Sequence, residues 1–123
     1  MISESIFRNN IGRKYGGAIA FLSSNTLFFV SKSLFEYNTA GESGGAVHSS
    51  LGNSGFIVTR SEFYENYAPN YGGAVFIGND HDNMTISNVV IRHCHAIEGG
   101  AVYVGQFNSM IKIDNTTIEE NEV

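Results

Sequence analysis

The densest group of metal-ligating and nucleophilic side chains in this sequence is His93, Cys94, His95 and Glu98. Imidazole, thiolate and carboxylate together could hold zinc or arm a cysteine nucleophile. A zinc site, however, takes its ligands at paired spacings such as C-x-x-C with H-x-x-x-H, and this stretch has neither. A second group, Asp80, His81 and Asp82, offers two carboxylates to a hard cation such as calcium, which needs six or more oxygens. The first group is therefore expected to be a degenerate turn with His93 and His95 facing solvent, and the second a solvated loop. No metal and no cofactor is expected at either.

Binding chemistry offers a better candidate. Ala20, His48, Phe76 and Tyr103 recur at intervals of 28, 28 and 27 residues. His48, Phe76 and Tyr103 would line up as an exposed strip able to contact a sugar or a protein. An enzymatic reading is weaker. Glycoside hydrolysis needs two carboxylates across one sugar bond, and this strip holds none. A calcium-dependent lyase would want clustered Asp beside an Arg, and Arg60 and Arg92 have no such company. Asn83-Met84-Thr85 and Asn115-Thr116-Thr117 are glycosylation sequons whose meaning depends on the source of the chain.

The elements that must carry these residues follow from composition and period. The chain has 123 residues, enough for one domain, 1–123. Gly, Asn and Ser make up 40 of them, too many for a helical bundle. With 7 basic and 12 acidic residues and no basic cluster, a phosphate backbone is excluded as a natural partner. The apolar run Thr26–Val30 is far too short to insert in a membrane.

A repeat is written into the glycines. Gly-Gly-Ala occurs at Gly16-Gly17, Gly44-Gly45, Gly72-Gly73 and Gly99-Gly100, each followed by Ala and then Ile or Val. Phe-x-x-Asn keeps the same period: Phe7–Asn10, Phe35–Asn38 and Phe63–Asn66, degraded to Ile91–Cys94 and Ile118–Asn121. Each repeat holds three apolar segments of period two, represented by Ile19/Phe21, Phe28/Val30 and Phe35 in the first. Period two means strands. Three short strands per 27–28 residues make one coil, and equivalent positions in successive coils would pair in parallel about 4.8 Å apart with right-handed crossovers. The expected fold is a right-handed parallel β-helix of about four coils. The glycine pairs would open the first strand of each coil, and Asn10, Asn38, Asn66 and Asn121 would stack as a side-chain amide ladder.

The pairing of GGA[I/V] with FxxN resembles the repeat of the chlamydial polymorphic membrane proteins, from Ile2 to Asn121. The resemblance implies an autotransporter-type passenger displayed outside the cell, on the outer membrane in a bacterium, acting in adhesion. Full-length members carry many more coils, so the chain reads as a section of a longer solenoid. Its partners would be neighbouring coils of that chain and a host or matrix protein or glycan bound through its flank. The runner-up is a piece of a β-helix polysaccharide lyase or glycoside hydrolase.

Overall fold

The computed structural model describes residues 1–123. It contains no helix, and its strands assort into three stacked parallel sheets with one strand per coil in each. The first sheet follows the glycines and consists of Ile19–Ser23, Val47–Leu51, Val75–Asn79 and Val102–Val104. The second contains Ile2–Ser3, Phe29–Ser31, Ile57–Thr59, Asp82–Ser87 and Ser109–Asp114. The third contains Ile6–Arg8, Leu34–Glu36, Glu62–Tyr64, Val90–Arg92 and Thr117–Glu119. This is a right-handed parallel β-helix of about four turns, as the repeat arithmetic requires. A narrower ladder adds to the expected three. Ile11–Gly12 pairs with Thr39–Ala40, and single bridges carry that line through Tyr67, His95 and Glu122.

Register follows the period residue for residue. Ile19, Val47, Val75 and Val102 are successive partners in the first sheet. Ile2, Val30, Val58, Ile86 and Ile113 are partners in the second. Phe7, Phe35, Phe63, Ile91 and Ile118 are partners in the third. The residue lost between Cys94 and Gly99 is absorbed in a turn, so no strand slips. A one-residue slip would turn every inward side chain outward. The inward columns form one core that includes Val30, Phe35, Phe56, Val58, Phe63, Val75, Ile77, Met84, Ile86 and Ile91. Phe7, Phe35 and Phe63 stack along it at 4.7 Å, nearly parallel, because the coil rise falls within the centroid spacing of offset-stacked rings.

The coil is bent by five columns of left-handed residues. One holds Glu4, Lys32, Arg60, Asn88 and Asn115, and another Asn9, Tyr37, Glu65, His93 and Glu120, all at φ between 44° and 56°. Left-handed backbone costs a non-glycine residue about 1–2 kcal/mol, so these bends are held by the ladders around them. Only one column is all glycine. A Cβ on Gly44 would run into the Val47 carbonyl. Its neighbour Gly45 is constrained differently. A Cβ there would strike the Gly73 carbonyl of the next coil and the Tyr67 backbone, so the second glycine lets two coils touch.

Candidate functional site

The Phe-x-x-Asn corner is built around an amide ladder. Asn10 donates from its backbone N–H and its Nδ2 to Asn38 Oδ1, at 3.1 and 2.9 Å. Asn38 repeats both bonds to Asn66 Oδ1, at 3.1 and 3.0 Å, and its Nδ2 also donates to the Phe7 carbonyl at 2.9 Å. Asn38 and Asn66 are buried, and this geometry satisfies amide groups that could not otherwise leave water.

Cys94 takes the next rung, and the residues around it diverge. Its thiol is buried beneath Asn66, whose Nδ2 lies 3.8 Å from Sγ, while its backbone N–H donates to Asn121 Oδ1 at 2.8 Å. Burial pushes the thiol up to about 11, a shift that contact with Asn66 opposes. His93 and His95 point outward, and each meets a carboxylate of the following coil, Glu120 at 2.9 Å and Glu122 at 3.6 Å. Thiol and imidazoles therefore face opposite sides of the coil wall.

The loop containing Asp80, His81 and Asp82 departs from expectation. Asp80 and Asp82 are exposed, but His81 is only 1 % exposed. It belongs to a second ladder of Asn25, Asn53, His81 and Asn108. Asn25 donates to Asn53 Oδ1 at 2.8 Å, Asn53 N–H to His81 Nδ1 at 3.0 Å, and His81 N–H to Asn108 Oδ1 at 2.8 Å. His81 Nε2 completes the set with the Ser49 carbonyl at 3.0 Å. A loop that donates and accepts along the helix axis is a structural corner, which is why this histidine leaves solvent. A third corner uses hydroxyls: Ser5 N–H donates to Ser33 Oγ at 3.3 Å, and Ser33 N–H to Ser61 Oγ at 3.1 Å. Both ladders were present in the period, yet one mixes Asn with His and the other stops at Val89, so neither reads as a motif.

The aromatic strip exists, in a different form from the expected one. His48 is 2 % exposed, whereas Phe76 and Tyr103 are partly open. Tyr15 stacks on His48, whose sheet partner in the preceding coil is the ringless Ala20. The rings then run Tyr15, His48, Phe76, Tyr103 with centroids 4.4, 4.6 and 5.3 Å apart. His48 is covered on both faces and tied at both nitrogens, Nδ1 to Ser43 Oγ at 3.0 Å and Nε2 to Ser50 Oγ at 2.6 Å. Burial holds the imidazole down to about 4, His81 adds to that effect, and the contact with Ser43 opposes it. Arg60 lies at the corner between the second and third sheets, away from His48, and Arg92 pairs with Glu119 at 2.6 Å. Of the two sequon asparagines, Asn83 is exposed at a left-handed bend and Asn115 bonds to the Asn88 side chain.

Stacked coils, paired glycines and corner ladders define a parallel β-helix repeat protein. Residues 32–50 match the family model described as the Chlamydia polymorphic membrane protein repeat, a stretch that holds Phe35–Asn38 and Gly44-Gly45-Ala46. The chain thus carries a β-helix repeat of the polymorphic membrane protein type. No curated protein and no solved structure matches it.

Proposed function

We propose that the chain is a non-catalytic section of a surface-displayed β-helix that binds a protein or glycan of a host or matrix through its flank. In a bacterium it would sit on the outer membrane as part of an autotransporter-type passenger. The observation that carries this reading is the ring column Tyr15–His48–Phe76–Tyr103, in which Tyr15, Phe76 and Tyr103 are partly exposed and buried His48 fixes the stack. Ordered aromatic rings at a surface contribute contact area with little entropy left to lose. The match to a surface-protein repeat supports the location. No helix of the chain is long and apolar enough to cross a membrane.

The test is binding of the purified chain to extracellular-matrix proteins and to a glycan array, with Phe76→Ala and Tyr103→Ala as partners. Loss of at least threefold in affinity in each variant is expected, with unchanged circular dichroism. Turnover of a pectin-like polymer, abolished by His48→Ala or Arg60→Ala, would replace this reading with an enzymatic one.

A further inference from the structure

Rings stacked face to face present only their edges to a partner. A sugar needs a ring face, so the regular part of the strip is poorly suited to one. The exception is where the neighbouring column is interrupted. Tyr15, Ser43, Tyr71 and Glu98 are successive bridge partners in that column, one per coil. Ser43 is its small member. Above Ser43 lies a recess of about 290 Å³ bounded by Tyr15, Glu42, Ser50, Asn70 and Tyr71, with His48 and Phe76 beneath. The backbones of Tyr15 and Tyr71 are two coil steps apart, about 9.6 Å along the axis. A recess of about 290 Å³ is large enough to take one saturated six-membered ring.

The walls differ in a useful way. Tyr15 lies flat against His48 and belongs to the stack. Tyr71 is tilted by 50° from Phe76 and 52° from Tyr103, and it stands out of the stack at 38 % exposure. Polar groups sit at the rim. Ser50 Oγ is held by His48 Nε2, and Glu42 and Asn70 offer a carboxylate and an amide beside it. The Glu42 carboxylate is already met by Lys14 at 3.6 Å, so the recess has little net charge to attract either a uronate or a bare cation. An aromatic wall, fixed hydroxyl and amide groups and near-neutral charge are the chemistry of a neutral sugar site.

We propose that the recess over Ser43 binds one neutral hexopyranose unit of a glycan chain, with Tyr71 against its C–H face and Glu42, Ser50 and Asn70 bonding its hydroxyls. This deepens the adhesive reading and rests on it. The site is formed before binding, because the side chains beneath it are stacked and hydrogen bonded, so little ordering accompanies association.

The experiment is calorimetric and NMR titration of the whole chain with a neutral glucan hexamer, a neutral mannan hexamer and polygalacturonate. At least one neutral hexamer is expected to bind, and polygalacturonate to bind at least tenfold more weakly. Ser43→Tyr places in this coil the residue that the column carries one coil below and one coil above. It should fold, fill the recess and weaken binding at least tenfold. Tyr71→Ala opens the recess and should do the same. Undiminished glycan binding by both Ser43→Tyr and Tyr71→Ala overturns the site, as does tighter binding of polygalacturonate. Absence of neutral-glycan binding with matrix-protein binding retained overturns the site and leaves the adhesive reading standing. Loss of both overturns both.

Discussion

Two successive junctions at the Phe-x-x-Asn corner solve the same problem with different chemistry. Between Asn38 and Asn66, two amide bonds and a phenylalanine pair at 4.7 Å join the coils. At Cys94 the amide bonds give way to a 3.8 Å contact between Asn66 Nδ2 and the thiol, and Ile91 replaces the stacking ring. The coil beyond is then joined by surface contacts in a row, the Arg92–Glu119 ion pair and the contacts His93–Glu120 and His95–Glu122. Buried amide rungs depend on exact spacing and tolerate few side chains. Surface pairs tolerate more but contribute less, because water and salt screen them. The difference shows that the solenoid needs each corner group satisfied, and that the residue type doing so can change from coil to coil.

The contrast breaks most visibly if the amide junction is cut. Asn66→Ala removes the acceptor of two Asn38 bonds and the Nδ2 donor to the Phe35 carbonyl, leaving buried groups unpaired. A loss of about 3 kcal/mol is expected in a urea melt. A change below about 0.5 kcal/mol would show that this junction is no stronger than its neighbour.

Acid should come next. His48 has a folded value of about 4 against 6.5 unfolded, so the unfolded chain takes up a proton that the folded chain refuses. Stability is then full above pH 6.5 and falls as the pH drops toward 4, by about 3 kcal/mol, His48 being buried. His48→Phe, which extends the ring column, should flatten that dependence in thermal melts. A profile identical in the variant would place the acid sensitivity elsewhere.

A smaller gain is expected from repairing the odd rung. Cys94→Asn restores the residue that Asn38 and Asn66 use and should add about 1 kcal/mol. In the native chain, Cys94 should resist a disulfide reagent at pH 8 until denaturant is added, since its thiol is buried and pushed up to about 11. The smallest effect belongs to these surface contacts. Glu119→Gln together with Glu122→Gln should cost less than about 1 kcal/mol, and most of that should vanish in 1 M salt.

Much of the fold was legible because a solenoid turns sequence distance into spatial adjacency. The 28-residue interval gave Phe35 its partners Phe7 and Phe63, and it placed Val58 between Val30 and Ile86. The amide ladder was legible because one residue type repeats along it. His81 was misjudged as solvated because its column reads Asn, Asn, His, Asn, and a lone histidine between aspartates carries no sign of burial. His48 was expected at an exposed position for a related reason. Outward on a strand ordinarily means wet, and nothing at that position says that Tyr15 and Phe76 will close over both faces of the ring.

By itself, then, the sequence determined the period, the parallel register and the inward columns, since each follows from spacing alone and any slip would expose the core. Tertiary structure decided what happens between columns. Tyr15 supplies the ring on one face of His48, Ser43 and Ser50 hold His48 from two sides, and a recess opens over Ser43, the small member of its column. Those outcomes depend on which side chains share a volume once the coils are stacked, and volume is a property of neighbours in space.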